Sequence, residues 1–220
     1  MQYKEFIKSA DISKERLYRE IYRANRDKIQ VKKEPTVVRN LSRIFDATLK
    51  LSNEKGFQAM SMRDFSRETG LSLGALYAYF ASKDELLEMI LRQGREIVMA
   101  VLEDHLRARR SPVEKLETAI RLHLYLTEAL QPWFYFSFME AKNMNPLEKE
   151  KTVESEIATD RLLAAIITEG QRAGVFRPRD AVLSAGVIKA LLQDWYIKRW
   201  KFARRNIDVD RYADFVLDFV

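Results

Sequence analysis

Apolar positions recur along this chain at helical spacing. Leu41, Ile44, Phe45, Thr48 and Leu49 follow i, i+3, i+4, i+7, i+8, and Gly56 closes that stretch. Ser61 is placed to cap a short helix over 62–69, ended by Gly70, and Ser72 caps another to about residue 80. Ser82-Lys83-Asp84-Glu85 and Ser111-Pro112-Val113-Glu114 read as capping boxes, in which serine and glutamate satisfy each other's orphan amides. The first opens a helix carrying Leu86, Met89, Ile90, Ile97, Val101 and Leu106; the second runs to about residue 130. A short aromatic segment follows Pro132. Asn145-Pro146 opens a long stretch to Gly174, with Thr152 as a candidate break. Asp180 caps a helix to about residue 204, and Asp208 caps the last one, with Ile207 and Tyr212 spaced as its hydrophobic staple. The pattern predicts nine helices after residue 36 and one or two before it. No stretch alternates like a strand.

Composition supports an all-α class. Glycine (7) and proline (5) make up about 5% of the 220 residues, against a usual ~12%. All five prolines, at 35, 112, 132, 146 and 178, sit at edges of apolar-periodic stretches. There is no cysteine, which excludes disulfides, thiolate metal sites and a cysteine nucleophile. No apolar run reaches the roughly 18 residues needed to span a bilayer. The charged N-terminus lacks an apolar signal region, so a cytoplasmic location and no membrane partner are expected. The net charge of +6 is uneven. Residues 1–83 hold 17 Lys+Arg against 10 Asp+Glu; the rest holds 21 against 22. A basic front on a neutral body fits a polyanion partner, or merely a solvated basic face.

The segment 61–83, SMRDFSRETGLSLGALYAYFASK, carries the most specific chemistry. Two short helices meet at Gly70. A helix-turn-helix needs a small residue at the crossing, a residue tolerant of the left-handed turn and an apolar lock on the second helix; Ser66, Gly70 and Leu76 have that spacing. The second helix, 73–79, then enters the major groove. Gly74 and Ala75 allow close approach to base edges and thymine methyls, while Tyr77 and Tyr79 are hydroxyl donors suited to phosphate. Lys83 sits in the first turn of the next helix, another phosphate-favouring place. The same pattern also fits a plain helical corner.

Residues 36–90 resemble the DNA-binding domain of the tetracycline-repressor (TetR) family of bacterial transcription regulators. KGF at 55–57 and SMRDFSRETGLSLGALYAYFASKDELL carry the likeness. The resemblance implies a nine-helix subunit: helices 1–3 bind DNA, helix 4 links, helices 5–7 enclose a ligand, and helices 8 and 9 form a dimeric four-helix bundle. Ligand binding is then expected to swing the DNA-binding domains apart and release a pseudo-palindromic double-stranded operator. The implied DNA-binding residues are Arg39, Ser61, Arg63, Ser72, Leu73, Gly74, Ala75, Tyr77, Tyr79 and Lys83. Leu73 and Ala75 depart from the polar residues often found at base-facing positions, so reading leans on apolar contact and shape. The expected domains are 1–35, a helical extension; 36–82, the helix-turn-helix; and 83–220, for ligand and dimer.

Past residue 90 the signals are broader. The aromatic run 133–139, including Phe134, Phe138 and Met139, fits an apolar pocket with His123, Leu126, Ile166 and Trp195, or ordinary core packing. A lipophilic or aromatic effector is expected, an acyl chain or acyl-CoA among the candidates. Ile188, Leu191 and Leu192 on the penultimate helix, with Tyr212, Phe215, Val216 and Phe219 on the last, are spaced for a homodimer seam or an internal core. His105 and His123 lack metal-ligand spacing, and there is no phosphate-cradling glycine loop or HExxH, so no metal, cofactor or enzyme activity is expected. The competing reading is an all-α small-molecule-binding protein or enzyme without operator binding. Residues 1–35 offer two readings of their own. Ser13, Leu17, Tyr18 and Ile21 repeat the offsets of Ser72, Leu76, Tyr77 and Phe80, with Asp11 at the position of Gly70, as in a degenerate second helix-turn-helix. Alternatively Leu17, Ile21 and Ala24 are the inner face of a packed helix. Lys32 and Lys33 are expected to form a basic arm.

Overall fold

A computed structural model describes residues 1–9, 14–141 and 144–220. Among them lie twelve helices and no strand: α1 (Tyr3–Ser9), α2 (Lys14–Ala24), α3 (Glu34–Lys55), α4 (Met62–Thr69), α5 (Leu73–Tyr77), α6 (Lys83–Arg107), α7 (Pro112–Ala129), α8 (Gln131–Glu140), α9 (Pro146–Arg172), α10 (Ala181–Ile197), α11 (Arg199–Ala203) and α12 (Val209–Phe219). The chain divides into two compact units. The N-terminal unit comprises Ala10–Glu96 and Phe136–Asn143; the C-terminal unit comprises Met1–Ser9, Ile97–Tyr135 and Met144–Val220. Residues 1–35 therefore contribute α1 to one unit and α2 to the other. The division falls inside α6, between Glu96 and Ile97.

The expected caps organise the N-terminal unit. The Ser61 hydroxyl accepts the Asp64 amide and the Asp64 carboxylate accepts the Ser61 amide, a complete capping box. Asp64 is held well below the usual carboxylate range by that backbone bond and by Lys55. Gly70 ends α4 in the left-handed region, φ 66°. Ser66 donates to the Leu71 carbonyl at 2.7 Å, and Leu76 is fully buried. Phe65 and Phe80 meet edge to face, centroids 6.3 Å apart. At the far end of α3, the buried Glu140 of α8 accepts from the Ser52 hydroxyl and the Phe57 amide. α2 lies against α3 through Tyr18, Ile21 and Tyr22, with Tyr18 edge-on to Phe45 at 5.4 Å. The packed-helix reading of this segment holds with a shifted face. Ala24 is exposed and Leu17 only half-buried, because the larger tyrosine rings take the interior. Asp11 and Ser13, on which the repeat reading depends, lie outside the described residues.

In the C-terminal unit α7, α9, α10 and α12 pack around Ile120, Leu124, Leu163, Ile188, Leu192 and Val216. α1 joins this core: Phe6 is fully buried, 5.6 Å from the Tyr125 ring, and the Tyr3 amide donates to Asp210. α9 runs through Thr152, whose hydroxyl turns back onto the Glu148 carbonyl. The helix expected from Asp180 to about 204 instead breaks at Lys198, so ten helices rather than nine follow residue 33 among the described residues. The reason is packing. Phe202 stacks on Trp195 at 5.1 Å and Tyr212 stacks on Trp195 at 5.0 Å. Residues seven apart on one continuous helix are separated by about 10.5 Å along its axis, so that stack requires the break. At the end of α9 the backbone turns sharply, with the Val175 and Phe176 amides both on the Gly170 carbonyl. Any Cβ at Gly170 would sit 2.0 Å from the Phe176 ring.

Candidate nucleic-acid interface and ligand site

α5 is five residues long and held from three sides. The Ser72 hydroxyl accepts the Ala75 amide, Leu76 anchors the inner face, and the Gln30 amide donates to the Ala78 carbonyl at 2.9 Å. Its outer face presents Leu73, Gly74 and Tyr77, the last 48% exposed, with Ala75 half-buried beside them. Ser61 and Arg63 at the start of α4, Ser72, and Arg39 on α3 are exposed as well. Eight of the ten expected DNA-binding residues thus lie at an accessible surface of one unit.

The other two differ from expectation. Tyr79 is 1% exposed, and its hydroxyl accepts from Asn40 Nδ2 at 2.8 Å. Burial pushes its phenol above the ordinary value, against the Asn40 bond and the Arg39 charge. It turns inward because Asn40, on the first turns of α3, offers what a buried phenol needs, a hydrogen-bond partner. Lys83 also turns inward. Its ammonium donates to the carbonyls of Phe57, Gln58 and Met60 at 3.3, 2.9 and 2.7 Å, and lies 5.5 Å from the Phe57 ring centroid. Three protons meet three acceptors, which leaves none for phosphate. The role is to close the turn between α3 and α4, a role invisible without knowing where that turn lies.

The expected ligand residues scatter. His123, Leu126, Ile166 and Trp195 are buried in the C-terminal unit and Phe134 is half-buried there. Phe138 and Met139 are exposed and belong to the N-terminal unit, so they do not line that interior. Trp195 is committed to packing: stacked as above, it donates to Glu128, with the Arg199 guanidinium 4.6 Å from the indole. His123 is the chemically open residue. It is 5% exposed, and neither ring nitrogen has a hydrogen-bond partner. Burial, and then the charge of Lys189, keep it neutral with its pKa well below the usual histidine value. Lys189, missed by sequence reasoning, is itself buried and paired with Glu156 at 3.1 Å; Gln193 donates to the same oxygen. Phe134 lies 6.2 Å from His123 and 5.4 Å from Tyr196. An isolated lysine on an apolar helix is the signal that could have found this cluster. Among the described residues no group of three or more His, Cys, Asp or Glu stands ready for a metal, and no helix is long and apolar enough to cross a membrane.

The expected dimer residues divide too. Ile188, Leu192, Tyr212 and Val216 are buried inside the unit and Leu191 is half-buried. Only Phe215 and Phe219 are exposed, both 67%, with rings stacked 6.3 Å apart. The exposed apolar face of α10 is instead Val182, Leu183, Gly186, Val187 and Ala190. An open groove of about 1020 Å³ runs beside it, lined by Leu116, Ile167, Phe176, Leu183, Val187 and Phe219.

A capped two-helix reading head on an all-helical body defines a helix-turn-helix protein. Residues 44–90 match the family of bacterial regulatory proteins, tetR family, and residues 109–220 match the tetracyclin repressor-like C-terminal domain. The chain belongs to the tetR family and is a DNA-binding transcriptional regulator. It is 24% identical over 162 residues to the HTH-type transcriptional regulator HbdR of Aromatoleum sp. (strain CIB), covering 74% of this chain and 71% of that one. The TetR family regulator PfmR of Thermus thermophilus superposes with a TM-score of 0.68 at 28% identity, covering 80% of this chain and 94% of that one. AibR, solved with isovaleryl coenzyme A and operator DNA, superposes at 0.72 over 82% and 97%; at 16% identity that likeness establishes the fold.

Proposed function

We propose that this protein is a homodimeric repressor that leaves its operator when a small lipophilic effector binds. The observation that carries the DNA-binding half is α5. Its fixed, exposed face of Leu73, Gly74, Ala75 and Tyr77 offers close approach and apolar contact at the base edges, with Tyr77 reaching phosphate. Arg39, Ser61, Arg63 and Ser72 supply backbone contacts around it. Tyr79 and Lys83 serve by holding the head in shape.

The second copy covers Leu183, Val187, Phe215 and Phe219 and fills the groove beside them. Such a twofold assembly presents two reading heads, which is why the operator is pseudo-palindromic. The effector enters the interior of the C-terminal unit at His123. A neutral imidazole offers one donor and one acceptor, and the Lys189–Glu156 pair leaves little net charge beside it. That chemistry suits an apolar molecule carrying a carbonyl or hydroxyl oxygen better than a bare anion. An acyl-CoA meets it through the thioester carbonyl, as the ligand of AibR would. Selection from random duplex DNA tests the reading: an enriched inverted repeat is expected, with affinity falling when octanoyl-CoA is added but not with coenzyme A alone. No enrichment would sink the operator reading and favour a small-molecule-binding protein without DNA.

A further inference from the structure

Residues 25–33, between α2 and α3, precede residue 44, where the family match begins. They are built onto the reading head. The Gln30 amide donates to the Ala78 carbonyl at the end of α5. Ile29 is fully buried. The buried Asn25 donates to the Ile21 carbonyl and accepts from Arg92 of α6 at 2.6 Å. Lys32 turns back, donating to the carbonyls of Arg26 and Ile29, while Tyr22 holds the Lys32 carbonyl. Of the two lysines expected as a basic arm, Lys32 is therefore structural. Lys28 is paired with Glu85 at 3.3 Å.

Arg26 and Lys33 differ. Both are exposed, and neither side chain has an ion pair or hydrogen bond among the described residues. Asp27 is the one exposed acid in the segment. The first turns of α3 run beside the same end of α5 through Asn40 and Tyr79, and carry exposed Arg39 onward from Lys33. Two uncommitted cations are thus held by a fixed loop at the C-terminal end of the helix that faces DNA. We infer that Arg26 and Lys33 bind phosphates of the duplex flanking the sequence that α5 reads. The inference rests on the operator-binding reading above.

The test uses the full-length protein and the duplex enriched by selection, in a long form and in one trimmed to the inverted repeat. Anisotropy titrations between roughly 50 and 200 mM KCl give the salt slope. Each phosphate contact contributes about 0.9 to that slope, so R26Q/K33Q should lower it by about 3.6 for the four side chains of a dimer. The wild type should lose affinity on trimming and the variant should not. Both positions are exposed, so circular dichroism and dimer mass should be unchanged. An unchanged slope with intact wild-type binding overturns this inference alone. Failure of the wild type to select any duplex overturns the operator reading and this inference with it.

Discussion

Both units of this protein cap their helices with side chains, but polar contacts that close turns stand out in one and ring stacks in the other. The N-terminal unit is tied by side chains that end helices and close turns: the Ser61–Asp64 box, Ser72 on Ala75, Lys83 on three carbonyls, Glu140 on Ser52 and Phe57. The C-terminal unit is tied by helix faces and rings, with Trp195, Phe202 and Tyr212 in mutual contact and Phe176 laid on Gly170. The helix caps span three or four residues, while the Lys83 and Glu140 contacts reach across 23–88. The ring contacts named in the C-terminal unit join residues 6–17 apart, and the packing of α7, α9, α10 and α12 joins residues dozens of positions apart. A recognition surface that must be presented in one geometry is served by polar side chains that close the turns around it.

The largest test concerns faces. If the second copy rests on the exposed stripe, F215D/F219D leaves the interior untouched and breaks the dimer. Light scattering should report a monomer. Operator affinity should fall by about 10²–10⁴-fold, because each head then binds alone. The control is Val216→Ala, a buried position, which should cost stability and leave a dimer. A dimer in F215D/F219D would move the seam elsewhere.

Gly170→Val tests packing within the unit. The new side chain meets the Phe176 ring where no room exists, and overpacking costs about 3 kcal/mol. Thermal unfolding should shift down by roughly 6–12 °C for a chain of this size. Combining it with Phe176→Ala should recover part of the loss; simple additivity of the two would break the proposed contact.

Lys83→Met makes the converse test in the N-terminal unit. Its partly exposed ammonium satisfies three carbonyls, and losing it should cost about 1–2 kcal/mol. The salt slope of operator binding should not change. A slope reduced by about 2 per dimer, with unchanged stability, would return Lys83 to the phosphate-binding role that its sequence position suggests.

These contrasts explain what the sequence makes legible. Short-range patterns carry through intact: Ser61, Gly70, Ser72, Ser111, Asn145, Asp180 and Asp208 cap helices at the expected places. The inward turns of Tyr79 and Lys83 are hidden, since their partners lie 39 and 23–26 residues earlier. α10 is harder still. Leu183 and Val187 alternate with Ala185, Ile188 and Leu192 around a helix apolar on every side. Periodicity then finds a helix but carries no phase, and cannot separate the face kept inside from the face given to a partner.

The smallest effect separates packing from function at His123. Two unpartnered nitrogens in the interior each cost about 1–3 kcal/mol, part of which His123→Phe removes while filling a similar space. The variant should melt slightly higher at about pH 7, where histidine is mostly neutral even in the unfolded chain. The pH dependence gives the sign independently. His123 is neutral when folded and titrates near 6.5 when unfolded, so the unfolded chain binds the extra proton as pH falls. Its contribution to stability is therefore complete above about pH 6.5 and lost progressively below it. Between about pH 7 and 5.5 the wild type should lose more stability than His123→Phe. If His123 serves the effector, the variant should bind operator normally, be more stable and no longer respond to octanoyl-CoA. A variant that is more stable and still responds would make His123 a packing residue.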